Sequence, residues 1–165
     1  MKVCFVSGQS VQEFTKISET QGAGLYLFGF GGFGEVSYER ELKGETAYFE
    51  SAAKLSKDKA AVVVVGCLTD AKGIKRKSAL VAENGRILGV SDMMHAIENC
   101  VNCGAEIRLY DTALGRMGVV VADDLLFYET AQALCLCGCD FIVCSYESAF
   151  DTAASVVARA YAFAC

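Results

Sequence analysis

The stretch GRMGVVVADDLLFYE, residues 115–129, decides the fold, because it contains the passage from a strand towards a helix. Residues 117–121 form a short run rich in β-branched side chains, which is typical of a buried strand. Across residues 124–137 apolar side chains recur at helical spacing, and Gly138 then predicts the end of that helix. Residues 140–144 are apolar again. The region therefore predicts a strand, a helix and a second strand in succession.

The same alternation extends to both sides of this stretch. The pair Asn84-Gly85 lies between two apolar runs and predicts a β-hairpin, because both residues readily adopt the positive φ of a tight turn. The other predicted strands lie at residues 1–6, 25–28, 61–65, 78–82, 86–90 and 107–110, and the other predicted helices at residues 11–20, 45–57 and 155–165. This order predicts one layered α/β domain over residues 1–165, with helices on both faces of mixed sheets.

Length and charge limit the functions that the chain can have. A chain of 165 residues has room for one domain. Its formal net charge is −5, so a broad phosphate-binding surface has no electrostatic support and we expect no nucleic-acid partner. Its apolar runs are shorter than the ~18 residues of a membrane span, and its first residues lack a signal-peptide pattern. We therefore expect a cytoplasmic protein with no membrane partner.

Nine cysteines and the absence of proline are the unusual features of the composition. We interpret the thiols as reduced and mostly buried, because their number is odd and several lie inside apolar runs. Two groups have spacings that a metal site would allow, namely Cys100 and Cys103 near His95, and Cys135 with Cys137 and Cys139. Helical residues 135 and 137 point about 200° apart, so they cannot both face one ion. We expect no metal and no cofactor.

The residues of the 115–129 stretch resemble the nucleophile segment of the nitrilase superfamily of carbon-nitrogen hydrolases. The pattern of that family is Gly-Lys/Arg-Ile-Gly-Val-x-Ile-Cys-Tyr-Asp-x-Arg-Phe-Pro-Glu. Three further segments follow the order of the family: residues 78–89 are similar to its Asn-Ser-Ala hairpin, residues 93–96 to its Lys-x-His-Leu element, and residues 131–143 to its helix ending in Gly-Ala-Asp before a strand. The resemblance covers nearly the whole chain and implies an α-β-β-α sandwich.

The resemblance also implies an amidase chemistry with a Glu general base, a Lys that stabilises the oxyanion and a Cys nucleophile. These three positions fall on Phe30, Met93 and Ala122, respectively. A methyl group cannot form a thioester, and a thioether supplies neither charge nor a hydrogen-bond donor. We therefore predict no catalytic residue and a vestigial pocket. Its predicted residues are Phe30, Met93, His95, Ala122, Asp123 and Asp124.

The adjacent carboxylates Asp123 and Asp124 follow the vacated nucleophile position. Neighbouring side chains at the end of a strand point to opposite faces, so we expect no shared proton between them. Asp124 is predicted to cap the following helix, because an acid at a helix start meets free N–H groups and the positive end of the helix dipole.

Two alternative functions remain open from the sequence. The glycines at 29, 31 and 34 match the Gly-x-Gly-x-x-Gly fingerprint of nucleotide-binding loops, and a helix that starts directly after Gly34 would support a nucleotide-binding module. The other alternative is an active amidase-type or nitrilase-type hydrolase with a non-standard nucleophile, such as Cys139 or Cys144.

The combined reading predicts a catalytically inactive carbon-nitrogen hydrolase homologue that acts as a binding or assembly subunit. An active form would hydrolyse non-peptide carbon-nitrogen bonds. The family continues beyond the last predicted helix into further strands, so a sequence ending at Cys165 predicts a sandwich shortened at its C-terminus. An open sheet edge and apolar helix faces then predict a homodimer or larger homo-oligomer. Because the replacements at the three catalytic positions are apolar, a small apolar ligand is the expected occupant.

Overall fold

The computed structural model describes residues 1–16, 22–97, 101–146 and 151–165. The described strands are β1 Val3–Val6, β2 Leu25–Phe28, β3 Glu35–Ser37, β4 Val62–Ala71, β5 Ile74–Glu83, β6 Arg86–Asp92, β7 Leu109–Thr112, β8 Gly115–Val121 and β9 Phe141–Ser145. The described helices are α1 Val11–Thr15, α2 Tyr38–Leu42, α3 Tyr48–Asp58, α4 Tyr128–Leu136 and α5 Asp151–Ala164. Short 3₁₀ turns follow two strands, at Phe30–Gly32 and Ala122–Leu126.

The strands form two mixed sheets. In the larger sheet the order is β1-β2-β4-β5-β6, with β3 pairing with the second half of β4. β1, β2 and β4 run parallel, whereas β4, β5 and β6 form an antiparallel meander. In the smaller sheet β8 lies between β7, which is antiparallel to it, and β9, which is parallel.

Strand β4 shows how the sequence places this sheet in the middle of the molecule. Its valines alternate between two apolar clusters: Val63 and Val65 pack with residues of helices α1 and α3, and Val62 and Val64 pack between the two sheets. All four are at most 1% exposed. Successive residues of a strand face opposite sides, so a continuous run of β-branched residues suits a strand covered on both faces.

Helices cover the outer face of each sheet. Val11 and Phe14 of α1 and Leu55 of α3 lie in the cluster on the outer side of the larger sheet. On the smaller sheet, α4 lies so close to β8 that a Cβ atom built at Gly118 would be 3.0 Å from Cδ1 of Leu134. The layers are helix, sheet, sheet and helix, which confirms the predicted α-β-β-α sandwich.

The predicted hairpin is confirmed and a second one accompanies it. Asn84 and Gly85 have φ angles of 51° and 79°, as the tight turn between β5 and β6 requires. Lys72 and Gly73, with φ angles of 55° and 86°, form the turn that joins β4 to β5. Both strands are therefore longer than the apolar runs that predicted them.

Two helix boundaries differ from the sequence prediction. The helix predicted at residues 124–137 begins only at Tyr128, because the backbone first forms the 3₁₀ turn Ala122–Leu126. The helix predicted from residue 155 begins at Asp151. Part of the helix predicted at residues 11–20 falls on residues 17–21, which lie outside the described residues. Among the described helices, none is both long and apolar enough to cross a membrane.

Candidate functional site

The structure brings the three predicted catalytic positions to one apolar cluster between the sheets. Phe30 lies in the 3₁₀ turn after β2, Met93 directly follows β6, and Ala122 directly follows β8. Met93 and Ala122 are fully buried members of this cluster, and Phe30 is half-buried and packs against it. We call these three residues the apolar floor. None of their side chains can act as a nucleophile, a base or a cation.

Ala122 has an unusual backbone conformation. Its φ of 47° lies in the left-handed region, which residues other than glycine rarely adopt. The cost of such a conformation is on the order of 1 kcal/mol, and strained residues of this kind cluster at functional sites. A strained residue between a strand and a helix is also the geometry that presents the nucleophile in α/β-hydrolases. The turn is thus present at Ala122, whereas a reactive side chain is not.

Asp124 holds the segment that carries Met93. Its carboxylate accepts hydrogen bonds from the backbone N–H of Met94, at 2.8 Å, and of His95, at 2.8 Å. The same carboxylate lies 2.9 Å from Nδ1 of His95. We call Asp124, Met94 and His95 the Asp124 clamp. It joins the end of β8 to the segment after β6.

Burial and hydrogen bonding act in opposite directions on Asp124. Its side chain is only 3% exposed, and this burial raises its pKa above the ordinary value. The hydrogen bonds from Met94 and His95 act against that rise by favouring the charged form. The imidazole of His95 also stacks on Phe127, with ring centroids 4.3 Å apart and planes 16° apart. His95 is therefore fixed on two sides.

The structure corrects the capping expectation for Asp124 and the strand-end geometry on which the expectation of no shared proton rested. Asp124 does not cap α4, whose N-cap residue is Phe127. The carboxylate oxygens of Asp124 instead accept hydrogen bonds from the segment after β6. Asp123 and Asp124 also do not lie on an extended strand end, since both belong to the 3₁₀ turn. Asp123 approaches the same segment, with Oδ2 3.5 Å from the N–H of Ile97. Both carboxylates thus serve to position that segment.

A cavity of about 330 Å³ lies at the carboxyl ends of β1, β2 and β9. Ser145, at the end of β9, pairs in register with Val121, the residue before the strained Ala122. Val121 and Val143 face the space between the sheets, so Ser145 lies on the same face two residues further along β9. The sequence analysis missed Ser145 and the adjacent Tyr146. The strand register against residues 117–121 is the signal that places Ser145 beside the predicted site.

The glycine-rich segment does not have the surroundings of a nucleotide-binding loop. Directly after Gly34, residues Glu35–Ser37 form strand β3 instead of a helix. The N–H groups of Gly32 and Gly34 already donate to the carbonyls of Gly29 and Phe30 within the turn. The nucleotide-binding alternative is therefore wrong, because that function needs a helix N-terminus at this point.

The two alternative nucleophiles do not lie on the apolar floor. Cys139 and Cys144 line a second cavity of about 430 Å³, between the smaller sheet and helices α4 and α5, and Cys144 also borders the 330 Å³ cavity. Cys144 lies between Val143 and Ser145 on β9, so its side chain is on the opposite face of the strand. Burial raises the pKa of the Cys144 thiol to about 12, which leaves almost no thiolate at neutral pH.

The cysteine groups do not form a metal centre in the part of the chain that the structure describes. No cluster of three or more His, Cys, Asp or Glu residues there is placed to hold an ion. Cys100, one member of the predicted Cys100 and Cys103 pair, lies outside the described residues. Cys67 is buried, and burial raises its pKa to about 12.

Solved structures of other proteins have the same fold as this chain. By sequence, no protein-family model and no curated protein matches the chain. One similar solved structure is a cysteine-to-alanine variant of an amidase from Nesterenkonia, which is described as belonging to the nitrilase superfamily. Its sequence is 14% identical to this chain, and the TM-score is 0.75. The superposition covers 98% of this chain and 71% of the amidase chain. The chain has the nitrilase-superfamily fold.

A second solved structure supports this assignment. The carbon-nitrogen hydrolase of Helicobacter pylori has 20% identity and a TM-score of 0.67, with 85% of this chain covered. The chain spans 57% of the length of that hydrolase. At these identities the likeness establishes the nitrilase fold, and the activity of the chain is a separate question that depends on its own residues.

Proposed function

We propose that this chain is a non-catalytic member of the nitrilase fold that acts as a binding or assembly subunit. The observation that supports it is the apolar floor. The fold places Phe30, Met93 and Ala122 on one cluster at the ends of three strands, and all three side chains are apolar. Catalytic groups act as a unit, so the simultaneous loss of base, cation and nucleophile removes covalent chemistry much more completely than one loss would.

The comparison with known amidases sharpens this proposal. One solved amidase from Nesterenkonia, a glutamate-to-glutamine variant, is described with the acetamide moiety of fluoroacetamide added covalently at its active-site cysteine. This chain has Ala122 at the residue that the sequence pattern aligns with such a cysteine. The same covalent chemistry would therefore need a thiol from another place, and the thiol of Cys144 is buried with a raised pKa.

Intact-mass spectrometry with fluoroacetamide tests the loss of chemistry. We expect no adduct and no ammonia release from acetamide with the natural chain. Ala122→Cys is the matched variant, because it adds one thiol at the strained turn without restoring the base or the lysine. We expect this variant to release no ammonia from acetamide. Steady ammonia release by the natural chain would contradict the proposal, and peptide mapping of any adduct would identify the residue responsible.

The assembly part of the proposal rests on the outer helices. Large apolar side chains are exposed on α4 and α5, with Leu136, Val156 and Phe163 exposed by 81%, 64% and 94%. Such surfaces are normally covered in stable proteins, and a homodimer is the simplest closed arrangement. The proposal therefore includes self-association through this face.

Sedimentation velocity at micromolar concentration tests self-association. We expect a species larger than the monomer, and we expect Phe163→Glu to shift it towards the monomer, because a carboxylate would be buried in the contact. The control is Ile74→Glu, which places the same charge at an exposed apolar residue in the β4–β5 hairpin. A monomer in all three samples would contradict this part of the proposal.

A further inference from the structure

The 330 Å³ cavity at the strand ends has features that a plain hydrophobic void lacks. Its described lining includes Phe5, Leu27, Gly29, Gly31, Ser145 and Tyr146. We propose that this cavity binds a small uncharged molecule with an apolar body and one hydrogen-bonding group, held by the hydroxyls of Ser145 and Tyr146. This inference rests on the proposed non-catalytic function and names the chemical class of its ligand.

The first observation is a pair of buried hydroxyls that lack partners. Oγ of Ser145 and the phenol oxygen of Tyr146 are both buried, and neither has a hydrogen-bond partner among the described residues. Ser145 is only 2% exposed. Buried polar atoms are nearly always paired, so two adjacent unpaired hydroxyls in the lining of one cavity indicate a missing partner. A ligand with a hydrogen-bonding group supplies that partner.

The second observation is the absence of charge in the described lining. None of the described side chains that line this cavity is acidic or basic. The carboxylate of Asp124, at the end of the neighbouring strand β8, does not line this cavity and is already engaged by the N–H groups of Met94 and His95. A charged ligand would lose its hydration here without gaining a counter-ion, which is costly. The hydroxyls, in contrast, can donate to or accept from a neutral group.

The third observation concerns size and shape. At roughly 30 Å³ for each water-sized group, the cavity volume suits a ligand of about ten non-hydrogen atoms. Phe5, Leu27 and Phe28 supply apolar wall, which suits a ring or short hydrocarbon. Gly29 and Gly31 also line the cavity, and a Cβ atom built at either residue would meet nothing within 4 Å. A side chain at these positions would therefore enter open space.

A matched set of probes tests the charge and size of the ligand. Benzamide, benzoate and benzylammonium have the same ring and nearly the same size, and they differ in charge. We expect ligand-observed NMR titration of the full chain to give a dissociation constant for benzamide about tenfold below those of the two ions, as an unpaired charge predicts. Equal or tighter binding of either ion would overturn the inference.

Four variants test the residues that hold the probe. Ser145→Ala and Tyr146→Phe each remove one hydroxyl, and we expect each to weaken benzamide about fivefold, the net effect of one hydrogen bond. Gly31→Leu adds a large side chain to the lining of the cavity and should abolish binding. Thr130→Val is the control, because Thr130 on α4 also carries a buried unpaired hydroxyl but does not line this cavity. We expect its benzamide affinity to equal that of the natural chain. Equal losses in all four variants, or no loss in the first three, would overturn the inference.

The same samples separate this inference from the proposed function. Hydrolysis of benzamide would release benzoate and ammonia, both visible in the NMR and ammonia assays. Hydrolysis would contradict the non-catalytic function whatever the affinity. Intact benzamide that fails to bind, with the chain folded by circular dichroism, would overturn the ligand inference and leave the non-catalytic function standing.

Discussion

The apolar floor and the Asp124 clamp lie beside each other, yet they have opposite characters. The floor contains Phe30, Met93 and Ala122 and packs as ordinary hydrophobic core. The clamp buries a carboxylate and satisfies it with two backbone N–H groups and an imidazole. The side chains of the floor are apolar, whereas the groups of the clamp beside it are polar and are engaged in hydrogen bonds.

This contrast follows from what each group contributes to the free energy of folding. An apolar side chain at a buried catalytic position needs no hydrogen bonds and stabilises the core through its burial. A buried carboxylate that positions a neighbouring segment cannot be removed so easily, because its loss leaves buried N–H donors without partners. The strained turn at Ala122 persists for a related reason, since the strand and the clamp on either side determine it.

The largest expected effect on stability comes from introducing a cation into the apolar floor. We expect Met93→Lys to lower the free energy of unfolding by about 4 kcal/mol, because the ammonium would be buried without a counter-ion. Urea denaturation measures this change. The control is Met93→Leu, which conserves volume and should cost less than about 1.5 kcal/mol. A Met93→Lys protein as stable as the control would show that the floor is not a closed apolar core.

The next effect concerns the clamp. We expect Asp124→Ala to lower the free energy of unfolding by about 3 kcal/mol, because the N–H groups of Met94 and His95 would lose their acceptor. The comparison is Asp111→Ala, whose carboxylate is 82% exposed and pairs with Arg116, and which should change stability by less than about 1 kcal/mol. Similar urea midpoints for both variants would show that the Asp124 clamp stabilises the fold no more than an exposed ion pair does.

A smaller effect separates the two contacts of His95. We expect His95→Ala to cost about 1.5 kcal/mol, because it removes both the stacking on Phe127 and the hydrogen bond to Asp124. His95→Phe keeps a stacked ring and removes only the hydrogen bond, so it should retain part of that stability. Thermal unfolding by circular dichroism would rank the three proteins. An equal loss in both variants would mean that stacking contributes nothing.

The smallest effect leaves stability unchanged and concerns thiol reactivity. We expect iodoacetamide at pH 8 to label the exposed Cys103 and Cys137 and to leave Cys67 and Cys144 unmodified. Burial raises the pKa of the latter two thiols from 9.0 to about 12, so in the folded chain their thiolates form only as the pH rises towards 12. Peptide mapping of the labelled chain gives the result. Rapid labelling of Cys144 at pH 8 would restore it as a candidate nucleophile.

Much of the fold could be predicted because its signals are local. The strand predicted at residues 25–28 is observed as Leu25–Phe28, and Asn84-Gly85 forms the expected hairpin turn. The clamp could not be predicted in this way. Asp124 and the N–H of Met94 are 30 residues apart in the chain, and an acid before a helix is more commonly a cap.

The hydroxyls of Ser145 and Tyr146 could not be predicted from the sequence for a similar reason. Ser145 becomes part of the site only through the pairing of β9 with β8, which sets it beside Val121. No composition or periodicity signal distinguishes this serine from others in the chain. The three residues of the apolar floor, in contrast, could be named from the sequence, because the family motifs that the chain resembles place each of them at a defined spacing.

The continuous meander β4-β5-β6 also carries a consequence for the order of folding. Its three strands follow one another along the chain and are joined by two-residue turns, so their contacts close short loops. Such hairpins form in about 1–10 μs, whereas parallel pairs such as β1 with β2 must first close a much longer connection. The meander is thus the part of the sheet on which β2, and then β1, can assemble, and the inter-sheet cluster that contains Met93 and Ala122 closes only when β8 arrives.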